Sequence, residues 1–265
     1  MREAAGIMNR KAVLPRIVSL AAVLLALTAW WIVTANGWVK PLFLPSPPDV
    51  WRAFTDMVTS GYKGSPLALH IWDSMYRLGA AFALALLTAV PLGILSGSNK
   101  WVQAALYPFI EFYRPLPPLA YYTVLVLWLG IEDASKIMLL FLAAFAPLYI
   151  AVVSGVKRVP SDRINGARSL GASKWKIYVH IILPSCLPEI FIGIRTAVGV
   201  AYTTLAAAEM VAAVTGIGWM VLDASKFLRS DIVFAGIIMM GLIAILIDIA
   251  IRSLERKIVP WSGKE

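Results

Sequence analysis

Apolar residues fall in six long runs separated by polar stretches. The first, Ile17 to Ala35, carries no charge over nineteen residues, and at ~1.5 Å per residue it nearly crosses a ~30 Å hydrocarbon core. It follows Arg2, Arg10, Lys11 and Arg16. A signal peptide also begins with basic residues, but its apolar core is ~7–15 residues long and ends at a small-residue cleavage site. This run is longer and passes through Trp30 and Trp31 into Asn36-Gly37, so an uncleaved span is expected. Residues 37–69 read as an outer loop, with Pro41, Pro45, Pro47 and Pro48 leading into an amphipathic stretch around Val50 to Thr59. The second run is Ile71 to Gly97 and the third Trp101 to Gly130, the latter interrupted at Arg114-Pro115-Leu116-Pro117-Pro118. Prolines so closely spaced cannot continue a helix, because each lacks a donor N–H and crowds the preceding turn. In a bilayer such a break survives only where protein or water covers the freed backbone, so the broken segment is expected to face a cavity. Ser135 to Val156, Ile181 to Ala208 and Ile232 to Ile251 complete the set. The fold class predicted is an all-α polytopic membrane protein with six transmembrane helices.

Composition agrees: 60% of the 265 residues are hydrophobic, 15% are charged, and the mean hydropathy is +0.77. The net charge of +9 would point to nucleic acid in a soluble protein, so the placement of the charges matters. Fifteen of the 24 Lys and Arg lie in the N-terminus, at Lys100, in the stretch Lys157 to Lys176 and in the C-terminal tail, against six in the three opposite loops. By the positive-inside rule both termini and the basic loop are cytoplasmic, and no nucleic acid is needed to explain the charge. The chain then divides into a cytoplasmic segment 1–16, a first span 17–36, an outer loop 37–69, a core of five spans 70–258 containing a cytoplasmic loop at 157–178, and a tail 259–265. One cysteine, Cys186, excludes an internal disulfide and a Cys-based zinc site, and His70 and His180 are too far apart for a short His motif. No metal site is expected.

The most ordered polar segment is the basic loop, which carries Lys157, Arg158, Arg163, Arg168, Lys174 and Lys176 against Asp162 alone. Ser161-Asp162 supplies N-cap chemistry, and Ile164, Ala167, Ser169-Leu170 and Ala172 give a short helix one small, weakly apolar face. Gly171 ends or kinks it, and Trp175, Ile177 and Tyr178 suit a second interfacial helix returning to the membrane. Such a knob suits docking into a partner's groove.

Asn165-Gly166-Ala167, then Gly171, then Ile181, Leu183 and Pro184 resemble the cytoplasmic signature of permease subunits of binding-protein-dependent ABC importers: Glu-Ala-Ala, three residues, Gly, nine residues, Ile, one residue, Leu-Pro. Every spacing matches; the departure is Asn-Gly for Glu-Ala, which removes a carboxylate. The stretches Glu111 to Tyr121, Leu127 to Ile137, Ala207 to Met220 and Ile258 to Trp261 resemble the taurine, alkanesulfonate and nitrate group, closest to its taurine members. The resemblance implies a type I ABC importer permease fold in the bacterial cytoplasmic membrane. It also implies a second permease copy forming a homodimer, two ABC ATPase subunits carrying ATP and Mg, and a periplasmic or lipid-anchored substrate-binding protein. Ser161, Asp162, Ile164, Asn165, Gly166, Ala167, Leu170, Gly171 and Ala172 would be the ATPase-coupling residues. Gly216, Gly218 and Trp219 resemble the family's external cap.

The chain is not expected to hydrolyse ATP or to bind a cofactor. Its nearest approach to a phosphate loop, Gly166 to Lys174, has Ala172 where Lys is required and follows no predicted strand. Charges inside the spans are costly unless paired or solvated. Arg195 falls near mid-membrane, Glu111 and Arg114 flank the proline break, and Glu189 starts the fifth span. Two readings stand for these charges: a pathway lining, or an ion pair holding the fifth span to the broken third. Thr203, Thr204 and Glu209, with Tyr202, put weak hydrogen-bonding groups in the outer half of the fifth span, and Tyr121 and Tyr122 follow the prolines. A passing solute needs such weak contacts, whereas Thr bonding back to its own helix is the alternative. Asp73, Arg77 and Asp248 fall nearer the interfaces, where snorkelling suffices, and receive no role. A membrane-embedded enzyme would need a nucleophile and base or paired carboxylates within a span, and none recurs at helical spacing. A stand-alone channel gives no reason for the docking knob.

Overall fold

The computed structural model describes residues 2–261, with side chains from Ile17 onward. Met1, the side chains of the expected 1–16 segment and the last four residues of the expected tail lie outside the described residues.

Helix α1 (Arg2–Ala35) runs through the first predicted span. Helix α2 (Pro47–Ser60) is the amphipathic outer helix, started by Ser46, whose hydroxyl caps the Asp49 amide while Pro47 and Pro48 occupy the first helical positions. It turns Val50, Ala53 and Met57 inward. Then follow α3 (Leu67–Ser98), the broken segment as α4 (Lys100–Tyr113) and α5 (Pro118–Leu129), and α6 (Asp133–Arg158). The basic loop forms α7 (Ser161–Ser169) and α8 (Lys174–Ile177), and a π-helical turn at Tyr178–Ile182 joins α8 to α9 (Leu183–Ala212). Helices α10 (Ile217–Lys226) and α11 (Ser230–Ile258) close the chain.

Among the described residues five segments are long and apolar enough to cross a membrane: Ile17–Ala35, Leu67–Ser98, Asp133–Arg158, Lys174–Ala212 and Ser230–Ile258. Helices α4 and α5, of 14 and 12 residues, are each too short. Because α3 ends beside the close of α6 while α6 begins beside the start of α3, the two half-helices together traverse the bundle between them. The fifth span is longer than its hydropathy indicates, since the helical path runs from Lys174 to Ala212.

Helix α6 is the spine, with its most extensive contacts to α3 and α9. It runs parallel to α3 and antiparallel to α9. The approach on both sides depends on missing side chains. A Cβ at Gly93 or Gly97 of α3 would stand 2.7 or 2.6 Å from the Cβ of Val152 or Val156, and one at Gly155 of α6 would stand 2.9 Å from Glu189 and 3.0 Å from Cys186. The Gly93/Gly97 pair, four residues apart, therefore serves packing within the chain. Buried Ala81, Ala85, Ala89, Ala144, Ala197 and Ala201 continue this small-residue seam. Helix α1 is exposed on all sides from Ile17 to Ala29 and meets the bundle near its end. There the Trp30 indole N–H donates to the Pro45 carbonyl at 3.0 Å and the ring stacks on Phe234.

The close approach of α3 to α6 generates a test. Gly93→Leu must displace the Val152 side chain and the α6 backbone behind it, a clash of the kind that costs about 1–3 kcal/mol. Its melting temperature in detergent is expected to fall clearly below that of the parent, whereas Gly79→Ala, with open space around it, is expected not to lower it.

Candidate functional site

At the end where α3 and α6 begin, polar groups from α3, α6, α9 and α10 meet in the interior. The Arg77 guanidinium donates from Nε to Asp133 Oδ1 at 2.7 Å, from NH1 to Glu209 Oε1 at 2.8 Å and the Thr215 carbonyl at 3.0 Å, and from NH2 to Thr215 Oγ1 at 3.3 Å. Glu209 also accepts from Ser74 Oγ at 2.7 Å and from the Gly218 amide at 2.8 Å. The Ile217 amide donates to Ser74 Oγ at 3.0 Å, and the Gly216 amide to His70 Nδ1 at 3.2 Å. With Nδ1 accepting, the His70 proton belongs on Nε2, which faces the Tyr62 carbonyl. Arg77 and Glu209 have side chains 4% and 1% exposed, so their pairing is what makes either charge tolerable there. The Gly218 donor to Glu209 lies in the first turn of α10, the natural place for an anion on a helix.

Two glycines make this approach possible. Gly216 has φ +118°, a conformation L side chains rarely adopt, and a Cβ there would collide with the Glu209 carboxylate. A Cβ at Gly218 would press on the Ala206 carbonyl. The Trp219 ring stacks on His70 at 5.7 Å. Farther out, the Tyr62 hydroxyl donates to Asp223 at 2.8 Å, and burial, followed by that carboxylate, pushes the phenol well above its ordinary range. Gly216, Gly218 and Trp219 thus form the root of a short helix clamped over this end.

The proline break lines a cavity of about 190 Å³ bounded by Tyr113, Arg114, Leu116, Pro118 and Tyr121, by Leu142, Ala143, Ala146 and Pro147 of α6, and by Val200 of α9. The Tyr113 hydroxyl is buried without a hydrogen-bond partner among the described residues. Pro147 of α6 also lines the cavity, and it has no N–H to give the Ala143 carbonyl one turn earlier. Arg114 sits at the rim, 3.5 Å from Glu111.

Of the residues the sequence assigns to a pathway, Arg114 and Tyr121 meet here. Tyr122 points the other way, buried with Leu125, Leu139 and Ala208. Thr204 is buried, and both it and Thr203 donate to carbonyls of their own helix, Val200 for the first and Gly199 and Val200 for the second. Glu209 is consumed by Arg77, Ser74 and Gly218. Tyr122, Thr204 and Glu209 therefore do not line the opening: Thr204 and Glu209 are taken up by partners within the chain, and Tyr122 is turned into an apolar cluster. Arg77, left without a role by its place near a span end, is the most heavily engaged cation of the described interior. Its signal in the sequence is the polar stripe His70, Ser74, Arg77 at spacings of four and three within an apolar run. The expected tie between the fifth span and the broken third is also corrected. Arg195 pairs with Asp248 of α11, Glu189 with Arg158 of α6, and Arg114 with Glu111 in its own segment.

At the opposite end the basic loop stands clear. Helix α7 has no buried residue. Gly171, at φ +78°, terminates it in the conformation glycine adopts freely. Ile164, Ala167 and Ala172 pack against the bundle, so the small face runs inward rather than outward. The outward surface carries Ser161, Asp162, Asn165, Gly166 and Leu170, the last 90% exposed, with Trp175 beyond it at 75%.

A bundle of membrane-length helices with a broken segment, a clamped cap at one end and a projecting helical loop at the other is the architecture of a transport permease. Residues 89–260 match the model of the binding-protein-dependent transport system inner membrane component, and the chain belongs to that family. It is 42% identical over 248 residues to the taurine transport system permease protein TauC of Escherichia coli K12, covering 93% of this chain and 90% of that one. It is 31% identical over 256 residues to the nitrate import permease protein NrtB of Synechocystis, covering 94% and 92%. Its fold is shared with a chain of the MetNI methionine ABC transporter in an inward-facing crystal form, with a TM-score of 0.65 and 16% identity over 72% of this chain and 95% of that one.

Removal of one partner from the buried pair is expected to destabilise more than removal of both. Arg77→Met leaves Glu209 charged and undercompensated, and Glu209→Met does the converse; each is expected to cost about 3–5 kcal/mol. The double variant should recover part of that loss in denaturation of the solubilised protein. Additive losses would show that the two side chains do not act as a pair.

Proposed function

We propose that this chain is the membrane-spanning half of an ATP-driven importer for a small sulfonate, taurine being the first candidate. The observation that carries the substrate is the 42% identity to a taurine permease across nearly the whole chain. Two copies form the translocation unit, crossing the membrane six times each, with both termini and the basic loop in the cytoplasm. A periplasmic or lipid-anchored binding protein delivers solute at the end capped by α10. Two ATPase subunits, which carry ATP and Mg, dock on the basic loops, and alternating access follows from their closing and opening.

The geometry of α7 supports the docking role. Its inward residues Ile164, Ala167 and Ala172 seat the knob on the permease, and its outward residues Asn165, Gly166, Leu170 and Gly171 remain for the ATPase. A leucine 90% exposed on a polar loop is an anchor awaiting a groove. The cavity at the proline break supports a weak zwitterion path. A guanidinium and two phenols suit the sulfonate, with no dense cation cluster that would retain the anion.

Leu170→Glu is expected to leave the bundle folded and inserted while the ATPase no longer copurifies, because the charge would enter a desolvated groove. Full solute-stimulated ATPase activity in that variant would remove α7 from the coupling role. Vesicles containing this chain, its ATPase and its binding protein are expected to take up labelled taurine only with ATP on the ATPase side. Uptake of nitrate with taurine ignored would change the substrate and keep the importer, whereas ATP-independent flux through the chain alone would overturn both.

A further inference from the structure

Arg195 and Asp248 lie deep within spanning helices. Arg195 is twelve residues beyond Leu183, roughly 18 Å along α9, and Asp248 is ten residues before Ile258, roughly 15 Å from the end of α11. Their side chains are nevertheless 36% and 42% exposed. The carboxylate is shared unequally. Arg252 Nε donates to Asp248 Oδ2 at 2.6 Å, and Arg195 Nε to Oδ1 at 3.3 Å. Among the described residues nothing bonds the two terminal nitrogens of Arg195. Two guanidiniums thus meet one carboxylate, and the surplus positive charge resides on the one less tightly held.

A half-paired guanidinium at this depth cannot rest against acyl chains without a large penalty. The two helices offer it different surroundings. The exposed face of α11 carries Ile237, Ile238, Leu242, Ile245, Leu246 and Ile249, a surface made for lipid. The exposed face of α9 carries Ile192 and then Thr196, Gly199, Val200 and Thr203, and Val200 already lines the cavity at the proline break. Arg195 sits between these faces, one helical turn before Gly199. Its free nitrogens are therefore best satisfied over the Thr/Gly face.

We propose that Arg195 is a contact site for the anionic group of the transported solute. Its two terminal amino groups match two oxygens of a sulfonate, while Asp248 beside it keeps the contact weak enough to release. Arg252 is a positioning residue: by holding Asp248 it leaves Arg195 incompletely neutralised. The proposal rests on the reading of the chain as a sulfonate permease.

The test uses the assembled importer with Gly199→Cys, a position where a Cβ would meet no atom within 4 Å and which is hence open to a side chain. Cys186 is buried, and the parent importer serves as its blank. A small thiol reagent bearing a sulfonate is expected to label Gly199→Cys faster than its trimethylammonium counterpart, with a preference on the order of fivefold for opposite unit charges near one guanidinium in a watery path. Arg195→Gln should abolish the preference and Arg195→Lys retain part of it; Asp248 keeps Arg252 in both, so no carboxylate is orphaned. Taurine should slow the labelling. Failure of both reagents with and without trapped nucleotide would show that a second copy or lipid covers this face, and a preference that survives Arg195→Gln would place the attracting charge elsewhere. Either result overturns the proposal even if taurine uptake by the parent importer is normal; absent uptake with the charge preference intact would instead overturn the sulfonate as its ligand.

Discussion

A charge inside a membrane-spanning bundle must be answered by another, and the Arg77–Glu209 pair imposes that requirement on the whole capped end. Arg77 belongs to α3 and Glu209 to α9, and their meeting at 2.8 Å fixes the separation of two helices that otherwise touch chiefly through α6. Asp133 brings in the start of α6, and Thr215 and Gly218 bring in the root of α10. Moving any one of these elements leaves a buried ion short of partners, at a cost of several kcal/mol. The glycines at 216 and 218 follow from the same constraint, because backbone must reach the carboxylate directly.

The packing below the pair is of a different kind. Along α3, α6 and α9 the closest approaches are made at glycines, against Val152, Val156, Ala151, Cys186 and the stem of Glu189, and gain dispersion energy from closeness. These three helices form a closely packed slab. The open groups lie to one side of it, at the proline break and on the Thr/Gly face of α9. There the buried Tyr113 hydroxyl is without a partner among the described residues, and Pro147 withholds an N–H from the α6 ladder. Close packing and open space are thus separated within one bundle: the slab is packed against its own backbone, while the broken segment borders the cavity.

Hydropathy locates the apolar runs because bilayer thickness is a direct constraint on length, and the break at Pro115, Pro117 and Pro118 and the helix stop at Gly171 are legible because both are backbone effects. Pairing is far less legible. Arg77 stands 132 residues from Glu209, and nothing local to either chooses the other. Position along a span locates Arg195 at the right depth but cannot tell that Asp248 faces it, since that depends on how α11 rotates against α9. The orientation of α7 is hidden for a related reason: Ile164, Ala167 and Ala172 form the more apolar side, and in a chain with a bundle beneath it that side packs inward.

The two ends of the chain differ in how completely they satisfy themselves, and this difference carries directional information. At the capped end Arg77, Glu209, Ser74 and His70 find partners within the chain, and even the outlying Asp223 receives Tyr62 at 2.8 Å and Lys63 at 3.3 Å. At the basic end α7 buries none of its residues, and Leu170 and Trp175 are held out from a loop whose charges bar it from the hydrocarbon. Trp175, beside Lys174 and Lys176, suits the membrane interface, whereas Leu170 loses by facing water and gains from a protein surface that covers it. A cap whose ions are paired within the chain loses little by standing alone, whereas a knob that holds out Leu170 gains from a surface that covers it.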